Sequence, residues 1–121
     1  MSVHDLVFIA TDRPLDAVID AIIGSLPGDL RRAPDGMPIL IFGHTAVDFE
    51  VHDFEADASD HPEIVLTKYP YLLKVRDLER DLDRQEAVAM QVFDVAAACG
   101  WPTVAFREMQ HLLARYDPPA G

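Results

Sequence analysis

The longest regular pattern of apolar and polar positions covers residues 80–99. On a helical wheel its apolar side chains form one broad arc, and polar side chains lie opposite. The arc consists of Leu82, Val88, Ala89, Val92, Phe93, Val95, Ala96 and Cys99. Gly100 and Pro102 follow, which is the order typical of a helix C-terminus. We therefore predict one long amphipathic helix that packs on a sheet, with Cys99 as a buried structural cysteine.

The rest of the chain contains shorter patterns. Residues 15–26 repeat apolar side chains at steps of three and four, which predicts a helix ended by Pro27 and Gly28. Apolar runs at 6–10, 37–42 and 103–106 predict buried strands, and the alternation at 46–54 and 71–76 predicts two more. Residues 31–36 are typical of a loop. Residues 109–116 have helical spacing and predict a last helix before Pro118 and Pro119.

These elements give the order β-α-β-β-β-α-β-α. A length of 121 residues without repeats or linkers fits one domain over 1–121. The fold class expected is α+β, with a mixed sheet and helices mainly on one face.

Composition narrows the function. The formal net charge of −11 argues against binding to nucleic-acid phosphates and to anionic membranes. No apolar run reaches the length of a signal peptide core or a membrane helix, so we expect a protein of the cytoplasm. A single cysteine allows no intrachain disulfide and no thiolate metal cluster.

The negative charge is concentrated in one part of the chain. Between Arg32 and Lys68 there is no Lys or Arg, whereas the interval 35–63 holds eight acids. The alternating strand places Asp48, Glu50 and His52 on one polar face. The predicted partner-binding residues are Asp48, Glu50, His52, Asp53, Glu55, Asp57, Asp60, Glu63 and, as an aromatic anchor, Tyr69. The surface they form suits a basic protein partner.

Other chemistry has less support in the sequence. Same-face neighbours on a strand lie about 6.6 Å apart, so Asp48, Glu50 and His52 favour an ordinary polar face over a metal site. Neither a serine elbow nor a glycine-rich phosphate loop is present, which favours a non-catalytic protein without cofactor or metal. Lys74, Arg76, Arg80 and Arg84 alternate with acids, and we predict helix-stabilising ion pairs for this cluster.

In length, charge and the acid-only interval 35–63, the chain resembles the small acidic immunity proteins of bacterial contact-dependent and polymorphic toxin systems. The resemblance implies a protein that binds and blocks a cognate toxin, often a basic nuclease, through an acidic face. Two alternatives stay open. One is a small enzyme or ligand-binding domain, monomeric or homodimeric, in which His44 or His52 meets a carboxylate on the sheet face opposite the helices. The other is a DNA-mimic inhibitor.

Overall fold

A computed structural model describes residues 3–51, 69–108 and 111–118. It has the predicted α+β class, with seven strands and two helices in the described part. The elements in chain order are β1 (Asp5–Ile9), α1 (Leu15–Ser25), β2 (Asp29–Arg32), β3 (Pro38–Phe42), β4 (Thr45–Val51), β5 (Tyr71–Asp77), α2 (Leu82–Ala98), β6 (Thr103–Arg107) and β7 (His111–Tyr116). Neither helix is long and apolar enough to cross a membrane, as far as the described residues extend.

The strands form one sheet in the order β2-β3-β4-β5-β1-β6-β7. All six pairings in the described part are antiparallel, so the expectation of a mixed sheet was wrong. The first strand, β1, lies between β5 and β6, where Asp5 is opposite both Val75 and Arg107. Because β1 is central, its side chains are buried on both faces, as its continuous apolar run predicted.

Both helices pack on the same face of the sheet, as predicted, and they also pack against each other. Val18, Ile19 and Ile22 of α1 share one core with Val88, Val92 and other apolar residues of α2. Val7, Val47, Phe49 and Leu73 are among the strand residues that complete this core. The helical spacing of the sequence therefore corresponds to the buried sides of both helices.

The opposite face of β5, β1 and β6 carries a second core. It consists of Leu6, Phe8, Tyr69, Leu72, Val104 and Phe106, all buried. The rings of Phe8 and Phe106 meet edge to face with centroids 6.1 Å apart. This part of the face is therefore filled with apolar side chains.

Two edge elements differ from the sequence prediction. The predicted helix at 109–116 was wrong, because residues His111–Tyr116 form β7 along β6. Ala105 is opposite Ala114 and Phe106 is opposite Leu112, so Leu113 is an extra residue in a bulge. The bulge breaks the alternation of period two and leaves apolar side chains at helical spacing.

The other edge strand is β2, whose last two residues overlap the stretch 31–36 that was predicted to be a loop. All four of its residues are exposed, so they carry no alternating apolar pattern. Its backbone pairs with β3 through a tight connection in which the amide of Ala33 donates to the carbonyl of Met37. Backbone pairing rather than side-chain burial defines this strand.

The long helix is close to its predicted bounds, but its ends are more exposed than predicted. Cys99 is the C-cap and is exposed, so the expectation of a buried cysteine was wrong. Leu82, in the first turn, is 39% exposed. The first and last residues of the predicted apolar arc are therefore not buried.

Candidate functional site

The polar face of β4 is paired within the sheet. Lys74 Nζ lies 3.0 Å from Glu50 Oε2, and Arg76 Nε lies 3.3 Å from Asp48 Oδ2. These are cross-strand pairs, since β5 runs antiparallel beside β4. The Glu50 atom is buried and makes no hydrogen bond in the described part of the chain, so its contact with Lys74 is an ion pair with poor hydrogen-bond geometry. Asp48 and Glu50 are therefore largely neutralised by their own sheet.

The remaining predicted site residues have different positions. Tyr69 is only 6% exposed and belongs to the second core, where burial is the main cause that raises the pKa of its phenol, followed by the nearby Asp117. The ring of Tyr69 therefore lies inside the described fold. Six further predicted residues lie outside the described residues, namely His52, Asp53, Glu55, Asp57, Asp60 and Glu63.

The histidine-and-carboxylate combinations considered in the sequence are only partly visible. His44 Nδ1 lies 3.0 Å from Glu79 Oε1, but both side chains are more than half exposed. No group of three metal-ligating side chains occurs in the ranges that the structure covers. The pair at His44 is therefore an ordinary surface contact by its geometry.

Internal pairing uses most of the positive charge. Six of the nine basic residues that the structure describes have a carboxylate partner, and those without one are Arg13, Arg32 and Arg80. By contrast, several exposed acids have no ion pair in the described ranges. They are Asp12, Asp16, Asp20, Asp35, Asp81, Asp83, Asp94 and Glu108. The negative excess is therefore not shielded by the chain's own bases.

Half of these unpaired acids lie within the two helices. Asp16 and Asp20 are one turn apart on the exposed side of α1, which contains no basic residue. Asp83 and Asp94 are exposed on α2, whose single arginine, Arg84, points to Asp77 on the sheet. The described fold thus has exposed acids on its helical layer, whereas residues 52–63 of the acid-only interval lie outside the described residues.

Sequence reasoning missed a buried charged cluster where β5 meets α2. The Asp77 carboxylate is fully buried and accepts from Arg84 Nε at 2.6 Å and Arg84 Nη2 at 2.8 Å. It also accepts from the backbone amides of Glu79 and Asp81 and from the Thr45 hydroxyl. The hydrogen bond from Arg84 is the main reason that the pKa of Asp77 lies well below its usual range.

This cluster corrects the prediction of helix-stabilising ion pairs among the basic residues. Arg84 joins the first turn of α2 to the end of β5, while Lys74 and Arg76 pair across strands. A second link of the same type is Arg107 Nε on the buried carboxylate of Asp5, at 2.9 Å. Only the alternation of bases with acids was visible in the sequence, and it could not show which acid each base meets.

A cavity of about 320 Å³ lies beside this cluster. Its lining consists of Val3, Arg76, Asp77, Leu78, Arg80, Leu82 and Gln85. Gln85 is almost fully buried, and its Oε1 accepts from the backbone amide of Asp77 at 2.8 Å. The volume is at the lower end of the range for small-molecule sites.

Comparisons with known proteins identify no family for this chain. No family model, no curated protein and no solved structure matches the chain.

Proposed function

We propose that this chain is a non-catalytic acidic binding protein that neutralises a basic protein partner, such as the nuclease domain of a bacterial toxin. The observation that carries the proposal is the division of charge. The chain's bases are mostly held by internal carboxylates, whereas acids remain exposed and unpaired across the described surface.

Exposed carboxylates create a long-range negative field where no ion pair with a base in the described ranges neutralises them. A field of this sign accelerates encounter with a basic surface and does so less as salt rises. Repulsion between like charges gives the fold no benefit, as for Asp16 and Asp20 one helical turn apart. These carboxylates repel one another in the folded chain, but they would interact favourably with a basic partner.

The contact surface can be located with two matched variants. One is Asp53→Asn/Asp57→Asn/Asp60→Asn in the acid-only interval, and the other is Asp16→Asn/Asp20→Asn/Asp94→Asn on the helices. Each removes three negative charges, so both weaken the long-range field to a similar extent. A difference in dissociation rate between them therefore reports direct contact.

The assay is capture of partners by the tagged chain from native host lysate at about 50 mM and about 500 mM salt. We expect one basic protein, released at the higher salt, whose toxicity on expression is relieved by this chain. Its dissociation should be faster from the variant of the acid-only interval than from the helix variant. Faster dissociation from the helix variant would move the contact surface to the helical layer. Unchanged binding of both variants at low salt would contradict the proposal.

A further inference from the structure

The cavity between β5 and α2 combines apolar walls with polar groups. Val3, Leu78 and Leu82 form the apolar part of its lining. Leu78 is 51% exposed and Leu82 is 39% exposed, so both side chains are accessible at the edge of a concave site. Large exposed apolar side chains around a cavity are typical of surfaces that bind a ligand.

The polar groups of the lining differ in what they have left to offer. Both oxygens of Asp77 are already engaged by Arg84 and by neighbouring donors, and Arg76 is paired with Asp48. Arg80 has no side-chain partner among the residues that the structure describes. The lining therefore has an unused guanidinium and no unused carboxylate.

Gln85 adds a second unused donor. Its Oε1 is fixed by the backbone amide of Asp77, so the amide orientation is set, and Nε2 is the group left over. Nε2 is buried and has no hydrogen-bond partner in the described ranges. A buried donor without an acceptor is costly, and an acceptor brought by a ligand would satisfy it.

The loop that carries Arg80 is firmly held. The Asp77 carboxylate binds the backbone amides of Glu79 and Asp81, and the amide of Arg80 donates to the Asp77 carbonyl. Arg80 has φ of 59°, in the left-handed region that is uncommon for a residue other than glycine. The surrounding hydrogen bonds keep Arg80 in this conformation beside the cavity, so the site exists before a ligand arrives.

From these observations we infer that the cavity binds a small amphipathic monocarboxylate. The carboxylate accepts from the Arg80 guanidinium and the Gln85 amide, and the apolar chain packs on Leu78, Leu82 and Val3. A cationic ligand would find donors and no free carboxylate, and a neutral alcohol would lose the charge-assisted hydrogen bond to arginine. Because the whole protein is acidic, binding of this anion should strengthen slightly as salt rises, opposite to binding of a basic protein.

The test is a titration of the full chain with sodium hexanoate, followed by ¹⁵N–¹H NMR. We expect saturable shifts in the side-chain amide of Gln85 and in the backbone amides of Leu78 and Leu82. Hexanol has the same chain without the charge, and its affinity should be at least about tenfold lower than that of hexanoate. Shifts spread over the surface without saturation, or equal affinity for hexanol, would overturn the inference.

Variants assign the binding to Arg80. Arg80→Gly removes the guanidinium and adopts the positive φ without strain, so the fold should survive while hexanoate affinity falls about tenfold. Arg13→Gln is the matched control, because Arg13 is another exposed arginine without an ion pair in the described part and does not line the cavity. An equal loss of affinity in both variants would show a general charge effect and would also overturn the inference.

Discussion

The second core predicts a large stability loss on the sheet face opposite α1 and α2. Phe106 is fully buried on this face and meets Phe8 edge to face. Replacing Phe106 by Ala removes the ring from a packed site and should lower the free energy of unfolding by about 3–5 kcal/mol. That is a large part of the roughly 5–15 kcal/mol available to a domain of this size.

Urea denaturation measures this loss. With a slope of about 2 kcal/mol per molar urea, the midpoint should fall by roughly 2 M. Leu30→Ala is the control, because Leu30 is 45% exposed on the edge strand β2 and should cost under about 1 kcal/mol. Phe106→Leu keeps most of the volume and provides a measurable variant if Phe106→Ala does not fold.

A double-mutant cycle tests the ring contact itself. Phe8→Leu and Phe106→Leu, alone and together, should show a coupling of about 0.5–1.5 kcal/mol. If Phe106→Ala cost under about 1 kcal/mol, like an exposed residue, the description of this face as a closed core would be refuted. The β5-β1-β6 part of the face would then be open for binding, as the alternative of a sheet-face ligand site requires.

Three further changes have defined outcomes. Arg84 lowers the pKa of Asp77 in the folded state, so the ionised carboxylate stabilises the fold above its unfolded pKa of about 3.9. This stabilisation is lost as the pH falls through the lower folded pKa. The variant Asp77→Asn has no carboxylate to protonate, so its acid unfolding curve should lack that loss of stability. Gly28→Ala would place a Cβ against the carbonyl of Ile41 and should lower stability by about 1–3 kcal/mol in thermal unfolding, whereas Ala at the open Gly24 site should not. Arg80→Gly relieves a positive φ and should raise the free energy of unfolding by about 1 kcal/mol; a loss would show that the Arg80 side chain stabilises the fold.

Much of the architecture could be predicted from local pattern. Residues such as Val18 and Ile22, or Val88 and Val92, repeat at helical spacing because one side of each helix is buried, and helix hydrogen bonds are local. Central strands were recognisable for a similar reason. In β1 every residue is buried, so the sequence shows an almost continuous apolar run.

The edge strands could not be predicted in this way. β2 exists because its backbone pairs with β3, although none of its side chains is buried. In β7 the bulge at Leu113 disrupts the alternation that would have marked a strand. Backbone hydrogen bonds to a neighbouring strand leave little trace in side-chain composition.

The candidate sites show the same division. The sequence by itself determined the number of charges, their excess of acid and the polar face of β4 with Asp48 and Glu50. Only the tertiary structure decided which charges stay free, because β5 brings Lys74 and Arg76 to β4, and α2 brings Arg84 to Asp77. Charge is a property of single residues, whereas pairing, burial and a cavity depend on residues that only folding brings together.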